Sequence, residues 1–307
     1  MTLRITFLGT SAAVPTTERN PSGLVINREG DRLLFDAGEG TQRQMMRFGT
    51  GFAISDVFLT HLHGDHILGL PGLLQTWDFT DREDPVTIHT PHGTGERLRT
   101  FLFAAEEPPQ YPVTIEERSP GEVIRMGDEY EIQTIATDHR TRSIGYALVE
   151  DDRKGRFDRE RAEELGVPVG PAFSALHRGE SVTLDDGTIV ESDEIVGPPR
   201  PGRHVVYTGD TLPRQSVIDG AMEAEVLIHD ATFTSECEDR AIETAHSTAA
   251  EAATIAAEAD VRTLVLTHIS SRYAGDTSGH VSEAKAHFNG KILVAHDGLE
   301  IDVPVPE

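Results

Sequence analysis

Cysteine, lysine and long apolar runs are scarce in this chain of 307 residues. Its one cysteine, Cys237, cannot form an internal disulfide, which favours a reducing compartment and excludes a zinc site built from thiolates. The apolar runs are short and interrupted by threonine, glycine or histidine, so the sequence predicts neither a signal peptide nor a membrane-spanning helix. We therefore expect a cytoplasmic protein with no membrane partner.

Positive charge is scarce as well. Lys and Arg together number 27 against 52 Asp and Glu, and only Lys154, Lys285 and Lys291 are lysines. A net charge of −25 repels itself in dilute buffer, whereas molar salt shortens the Debye length to about 3 Å and screens the repulsion. This balance predicts a halophilic protein, with an acidic protein of an ordinary cytosol as the alternative. It also disfavours wholesale nucleic-acid binding, so any contact with phosphate must be local.

One short segment concentrates side chains that can bind a metal. It follows the apolar run 56–60 and contains His61, His63, Asp65 and His66 within six residues. The apolar run predicts a strand and the residues after it a helix, so the segment is a strand-to-helix loop. Neutral imidazoles and carboxylates are zinc ligands at about 2.0–2.2 Å. A solvated polar turn is the alternative, and it explains three histidines and an aspartate at this spacing poorly.

Three later segments repeat this pattern, in which an apolar or β-branched run ends in a metal-ligand type. They end at Asp138-His139, at Asp210 and at His268. Taken singly, each is equally well a polar residue at the end of a strand. Because ligands at the carboxyl ends of neighbouring strands can share one rim of a sheet, the four segments together predict a single site. Its five histidines and two aspartates suffice for two metals with a bridging carboxylate.

Other polar residues in similar positions have simpler interpretations. Asp36 ends the predicted strand 32–36, and it is either a helix cap, which the sequence alone slightly favours, or a carboxylate that orients a ligating histidine. His89 and His92 have no partner at ligand spacing, and we interpret both as structural or surface histidines.

The ligand pattern resembles that of the metallo-β-lactamase superfamily. Within it the chain is similar to the RNase Z (tRNase Z) family through residues 7–11, 36–42 and 266–273 and through the triplet His246-Ser247-Thr248. The resemblance extends over nearly the whole length. It implies an α/β fold of the αβ/βα four-layer type, in which two sheets are covered by helices, with an inserted arm.

This resemblance divides the chain into three parts. Residues 1–149 and 201–307 would form the two halves of the metallo-β-lactamase domain, and 150–200 would form the flexible arm with which the family grips tRNA. Segment 153–161 has five basic and two acidic residues, a local charge of +3, contributed by Arg153, Lys154, Arg156, Arg159 and Arg161. A salt-bridged helix start is the alternative. Ser270 and Arg272 are further candidates to hold substrate phosphate, with a simple turn as the alternative.

The resemblance also assigns chemical roles. It implies that His61, His63 and His139 hold one Zn²⁺, that Asp65, His66 and His268 hold the second, and that Asp210 bridges them. Sites of this composition also accept Mn²⁺ or Fe. His246 would be the general acid, with a core or capping histidine as the alternative, and Asp65 would also take part in catalysis. The family orients this histidine with a glutamate; here the residue is Asp230, whose shorter side chain leaves the contact open.

The activity that follows from the resemblance is endonucleolytic removal of the 3′ trailer from precursor tRNA, by a homodimer. It would leave a 3′-hydroxyl on the tRNA and a 5′-phosphate on the trailer. One alternative is another hydrolase of the superfamily, such as a cyclic-nucleotide phosphodiesterase or a lactonase. A second is an RNA-binding protein without catalytic activity.

Overall fold

A computed structural model describes residues 2–104 and 107–306 of the chain, so the outer limits of the predicted domains, 1 and 307, lie outside it. The chain forms two compact units: one runs to Val149 and resumes with His204–Pro304, and the other comprises Glu150–Arg203 and the residues from Val305 onward. No helix in the described ranges has the length and apolar content needed to cross a membrane.

The larger unit contains two mixed sheets. The first has the strand order β16-β1-β2-β3-β4-β5-β6, with β3 to β6 parallel and the other pairs antiparallel. Its strands are β1 (Leu3–Gly9), β2 (Gly23–Arg28), β3 (Asp31–Phe35), β4 (Asp56–Phe58), β5 (Val86–Pro91), β6 (Val113–Arg118) and β16 (Glu300–Asp302).

The second sheet has the order β15-β14-β13-β12-β9-β8-β7, and β12 to β15 run parallel. Its strands are β7 (Val123–Met126), β8 (Tyr130–Ala136), β9 (Ile144–Glu150), β12 (His204–Tyr207), β13 (Val226–Asp230), β14 (Thr263–Thr267) and β15 (Lys291–Val294). The parallel halves of both sheets have their strand ends aligned, so loops after several strands share one edge.

Helices cover the outer face of each sheet. The helices of this unit are α1 (Thr41–Phe48), α2 (Gly64–Ile67), α3 (Leu70–Phe79), α4 (Gly95–Leu102), α7 (Gln215–Gly220), α8 (Glu238–Thr244), α9 (Ala249–Glu258) and α10 (Ser278–His287). Short 3₁₀ helices occupy Ser235–Cys237 and Ser271–Tyr273.

The layering follows from the two-residue period of the strands. In β13, Val226 and Ile228 pack in the core between the sheets, whereas Leu227 faces the opposite way and packs with the alanine-rich helix α9. In β2 the same alternation sends Val25 toward the layer of α1 and α3. The two sheets thus lie between two helical layers, which is the predicted αβ/βα four-layer sandwich.

The smaller unit has its own core. It contains α5 (Arg159–Glu164), α6 (Pro171–His177), the two-stranded sheet of β10 (Val182–Thr183) and β11 (Ile189–Val190), and a 3₁₀ helix at Ser192–Glu194. The buried ion pair between Glu150 and Arg203, with Nε–Oε2 and Nη2–Oε1 distances of 2.7 and 2.6 Å, joins the first and last residues of the long segment. The long segment of this unit thus ends at Arg203, three residues after position 200.

Candidate metal centre

The seven predicted ligands converge at the carboxyl ends of strands in both sheets. His61 follows β4, His139 follows β8, Asp210 follows β12 and His268 follows β14. The remaining ligands are His63, which precedes α2, and Asp65 and His66, which lie in its single turn. Helix α2 begins inside the predicted loop. Its turn brings Asp65 and His66 close to His61 and His63.

One group of donors consists of three imidazoles. Nδ1 of His63 lies 3.0 Å from Nε2 of His61 and 3.1 Å from Nε2 of His139. Three tetrahedral ligands about 2.0–2.1 Å from a zinc ion would be about 3.3 Å apart, so this spacing suits a shared metal. The first predicted ligand set is therefore assembled.

The second group contains Asp65, His66 and His268. Oδ2 of Asp65 lies 3.2 Å from Nε2 of His268 and 3.6 Å from Nε2 of His66. Oδ1 of Asp210 lies 3.3 Å from each of the same two nitrogens. The three side chains and one oxygen of Asp210 thus surround a single point.

Asp210 belongs to both groups. While its Oδ1 faces His66 and His268, its Oδ2 lies 3.5 Å from Nε2 of His61 and 3.8 Å from Nε2 of His139. Its carboxylate is 2% exposed and is therefore almost completely withdrawn from solvent. One oxygen turned to each group is the arrangement that a bridging carboxylate needs.

The residues present fit two divalent cations. Nε2 of His66 and Oδ1 of Asp210 are buried, and neither has a hydrogen-bond partner among residues 2–104 and 107–306. Buried polar atoms without a partner are costly, and a metal would satisfy both. Imidazole and carboxylate donors match zinc, and they also accept manganese or iron.

Hydrogen bonds from the Nδ1 atoms orient two of the histidines, His61 and His66. Nδ1 of His61 lies 3.1 Å from Oγ1 of Thr60, and Nδ1 of His66 lies 2.7 Å from Oδ2 of Asp36. These partners assign the proton to Nδ1 and leave Nε2 of each ring to bind a metal. Only glycine fits at position 209, because a Cβ there would collide with the side chain of Thr60.

Two further histidines are oriented from the second sheet. Nδ1 of His139 lies 2.8 Å from the carbonyl oxygen of Ala245, and Nδ1 of His268 lies 2.8 Å from Oγ1 of Thr232. Thr232 in turn donates to Oδ1 of Asp230 at 2.6 Å. Each bond places the proton on Nδ1, so Nε2 of both rings is left free to bind a metal.

Asp36 orients His66 and does not cap a helix. Helix α1 starts after Gly40, and the fully buried Asp36 carboxylate accepts hydrogen bonds from the backbone and hydroxyl of Thr60, from Nδ1 of His66 and from the hydroxyl of Tyr207. The preference for a helix cap was therefore wrong. Its partners lie 24 to 171 residues away in the sequence, so no local pattern identifies them.

Replacing Asp36 with asparagine should weaken metal binding about 10–100-fold, the usual effect of losing such an orienting contact. In either rotamer the amide NH₂ faces groups that themselves donate, so the buried site also loses about 1–3 kcal/mol of stability. Zinc affinity by chelator competition and thermal unfolding would measure both effects. Asp219→Asn on the surface is the control, and equal metal affinity in the two variants would contradict the assignment.

Opposing charges dominate the electrostatics of this centre. Burial lowers the pKa of His66, but the carboxylates of Asp210, Asp36 and Asp65 outweigh burial and raise it well above its usual value. Burial and the neighbouring His66 hold the pKa of His61 well below its usual value. Burial raises the pKa of Asp210, yet the surrounding histidines outweigh it and hold that pKa well below its usual range. Protons and metals therefore compete for one buried set of donors.

His246 stands beside the ligands without belonging to either three-residue set. Its Nδ1 lies 2.8 Å from Oδ2 of Asp230 and 3.9 Å from Oδ2 of Asp210. The shorter aspartate side chain therefore does reach the imidazole. Burial lowers the pKa of His246, but Asp230 and Asp210 outweigh burial and raise it to about 9. The ring is a cation at neutral pH that can donate a proton.

The position of His246 follows from local structure. A capping box is present, since the side chains of Thr248 and Glu251 each accept a hydrogen bond from the other's backbone. It fixes the start of α9, and the backbone N–H of Ser247 also points to Oδ2 of Asp230 at 3.3 Å. His246 is thus held between a helix start and a buried carboxylate.

Sequence comparison finds relatives of high identity that are named ribonuclease Z. A ribonuclease Z from Natronomonas pharaonis is 61% identical over 307 residues and covers 100% of both chains. One from Halobacterium salinarum is 59% identical and covers 100% of this chain and 99% of its own. The chain belongs to the ribonuclease Z family. Both relatives come from halophiles, in agreement with the salt adaptation that the acidic composition predicts.

Domain models and a solved structure agree with this family. A metallo-beta-lactamase superfamily model matches residues 16–175, and a beta-lactamase superfamily domain model matches residues 187–269. The crystal structure of the short form of human tRNase Z is 26% identical, covers 98% of this chain and 99% of its own, and has a TM-score of 0.70. The metallo-β-lactamase fold predicted from the sequence is thereby confirmed.

Other predicted residues of this ribonuclease Z family member lie outside the donor groups. Ser270 caps the 3₁₀ helix Ser271–Tyr273, two residues after the ligand His268, and Arg272 is exposed. His89 is buried, stacks on Phe58 and contacts Asp56, whereas His92 is exposed near Glu117. The structural and surface interpretations of the two histidines agree with these contacts.

The residues that sequence reasoning missed are those that orient the ligands. Thr60 and Thr232 contact His61 and His268 through buried hydrogen bonds. Tyr207 acts one step further away, because its hydroxyl donates to Asp36, which in turn contacts His66. Thr60 stands directly before His61, which was the one available signal. The other two act across strands, so the ribonuclease Z sequence carries no local pattern for them.

Proposed function

We propose that this chain is a metal-dependent endoribonuclease that removes the 3′ trailer from precursor tRNA. The observation that carries the proposal is the carboxylate of Asp210 between two donor groups, with the protonated His246 3.9 Å from it. Two metal positions next to a proton donor suit in-line displacement at a phosphodiester. The relatives named ribonuclease Z supply the substrate class.

Two Zn²⁺ ions would occupy the site, with Mn²⁺ or Fe as alternatives. When bound, they activate a water and stabilise the charge that develops on the phosphate oxygens. Burial would raise the pKa of Asp65, but His66 and His268 outweigh it and hold that pKa below its usual range. We therefore assign Asp65 to orienting the attacking water, because a carboxylate whose pKa is lowered is a poor proton acceptor. The backbone N–H of Ala13 holds its Oδ2 at 2.8 Å.

His246 would donate its proton to the ribose 3′-oxygen as the bond from phosphorus to that oxygen breaks. The tRNA then leaves with a 3′-hydroxyl, and the trailer keeps the 5′-phosphate with the oxygen of the attacking water. An alkoxide is a poor leaving group, so a positioned acid accelerates this step. Asp230 keeps the imidazolium oriented and charged through its 2.8 Å contact with Nδ1.

The arm would contact the tRNA body through a subset of its basic residues. In α5, Arg159 and Arg161 form ion pairs with glutamates of the same helix, at 2.8 and 3.2 Å. Lys154 and Arg156 are exposed, and no carboxylate within ion-pair distance of either is found in the described part of the chain. They flank the buried Gly155, so two unneutralised charges project from one side of an extended segment.

Neutralising Lys154 and Arg156 together should raise the KM for precursor tRNA about tenfold at low salt and leave kcat unchanged. The matched control, Arg159→Gln with Arg161→Gln, removes the same charge from residues already paired with Glu163 and Glu164, and its effect should be below about twofold. Both effects should shrink in molar salt, where counterion release is weak. An unchanged KM for Lys154→Gln with Arg156→Gln would remove the arm from substrate binding.

A homodimer in the cytoplasm is the expected state of the protein, supported by the family resemblance and by the single cysteine. Light scattering of the purified protein in molar salt would give its mass directly. A monomer that retains full cleavage activity would rule out any need for the second copy.

The proposed function is tested by incubating end-labelled precursor tRNA with wild-type protein and with His63→Ala, across salt concentrations. We expect the wild-type protein to cut the RNA once, next to the discriminator base. The His63→Ala variant should not cut it. Metal-loaded wild-type protein that leaves the RNA intact at every salt concentration would instead favour a hydrolase of small phosphodiesters or lactones. RNA bound without cleavage by wild type and variant alike would indicate an inactive binding protein.

A further inference from the structure

A cavity of about 280 Å³ in the larger unit adjoins the metal ligand His139. The loop 91–94 after β5, the end of β6 and the loop 137–143 that carries His139 form its walls. Pockets for small organic ligands are usually about 300–1,000 Å³, so this volume suits one nucleotide-sized group and not a duplex. His139 thus belongs to both the cavity wall and the candidate metal centre.

Arg142 is held at the wall of this cavity. Its Nη1 donates to the carbonyl oxygen of His92 at 2.9 Å. The guanidinium occupies the space beside Gly93, where a Cβ would overlap Nη1, and Gly93 has a φ of +77° that disfavours other residues. The loop after β5 is thus shaped to receive an arginine from the loop of a metal ligand.

The charges around the cavity leave Arg142 as its unpaired cation. Asp138, the one carboxylate among the residues that line the cavity, is neutralised by Arg214 at 3.1 Å. Arg118 is paired with Glu116. No carboxylate within ion-pair distance of Arg142 is found in residues 2–104 and 107–306. The nearby Glu117 accepts hydrogen bonds from the backbone N–H groups of Gly93 and Gly95, which lower its pKa, and Arg142 lowers that pKa further. In a chain of charge −25, an unpaired guanidinium beside a catalytic metal ligand indicates an anionic ligand.

We propose that this cavity binds the nucleotide next to the scissile phosphate, with the Arg142 guanidinium on the neighbouring backbone phosphate. The assignment rests on the proposed function and adds a subsite to it. Arginine binds phosphate oxygens through two parallel N–H groups, and one of its terminal nitrogens is already fixed by His92. The rigid contact would hold the scissile phosphate in register with the metals.

Cleavage of precursor tRNA by Arg142→Gln, measured as separate kcat and KM values, tests the proposal. We expect KM to rise about tenfold, the scale of one charge-assisted contact, with kcat within about twofold of wild type. A plot of log(1/KM) against log salt has a negative slope. Because one phosphate contact is lost, this slope should become shallower by about 0.7–0.9. The control is Arg4→Gln, the same substitution at the start of β1. It should leave both KM and its salt dependence unchanged.

Gly93→Ala provides a second, independent perturbation. Its Cβ would displace the guanidinium, so it should raise KM like Arg142→Gln, and the double variant should be no worse than either single variant. Additive effects of the two changes would contradict a shared contact.

The outcomes separate this subsite from the proposed function. Active wild type together with an unchanged KM for Arg142→Gln overturns the subsite alone, whereas wild type inert toward precursor tRNA overturns the proposed function. Loss of bound zinc in Arg142→Gln, measured in the same samples, would mean that the arginine acts through His139, and that result also overturns the subsite.

Discussion

Asp210→Asn will bind fewer than two metal ions per chain and will lose more than about 10³-fold in cleavage rate. Losing one well-placed electrostatic contact in an active site costs about 10²–10³, and this change removes a ligand from both metals. The amide keeps one oxygen, so its NH₂ must face either His61 and His139 or His66 and His268. Metal analysis and cleavage of precursor tRNA measure the two effects.

The control is Asp260→Asn at the turn after α9. Asp260 is exposed and adopts a φ of +50°, which asparagine tolerates well. It should keep two metals and full activity. If Asp210→Asn also kept both ions and cleaved at the wild-type rate, the bridging role would be excluded.

His246→Asn will lower kcat about 10²–10⁴-fold while both metals stay bound, because it removes the proton donor and no member of either three-residue ligand set. A small change in KM is expected, since the proton transfer occurs in the transition state. His287→Asn, at the exposed end of α10, is the control. Metal content by mass spectrometry separates this defect from loss of the metal centre.

The same residue sets a pH dependence. The protonated form of His246 is the active one, so kcat should fall as pH rises through its pKa, which Asp230 and Asp210 raise to about 9 against burial. Cations bound at Asp210 weaken the pull of that carboxylate, so the decline lies at or below pH 9. His246→Asn should lack this decline. A wild-type profile that is flat to pH 10 would assign the acid to another group.

Much of the site could be predicted because its ligands follow a repeated local pattern. Each of the strands β4, β8, β12 and β14 ends in apolar or β-branched residues, and a metal-ligand type follows within three residues of its end. Parallel neighbours bring such ends to one edge, so the pattern carries three-dimensional information. The capping box is likewise predictable, because Thr248 and Glu251 are only three positions apart in the sequence.

The rest of the site depends on contacts between distant residues. The sequence slightly favoured a helix cap for Asp36 because its actual partners, Thr60, His66 and Tyr207, are distant in the sequence. Tyr207 even belongs to the other sheet. The reach of Asp230 to His246 depends on where β13 ends relative to α9. In segment 153–161 the sequence left open whether the five basic residues face RNA or form salt bridges, and two of them are paired with glutamates within α5.

The most direct test of the two-metal endonuclease is to titrate the metal-free protein with Zn²⁺ in molar salt. Native mass spectrometry would count the ions bound per chain while end-labelled precursor tRNA reports the cut to the nucleotide. We predict that cleavage next to the discriminator base appears as the second ion binds. Full cleavage by metal-free protein, or none with both ions bound, would contradict it.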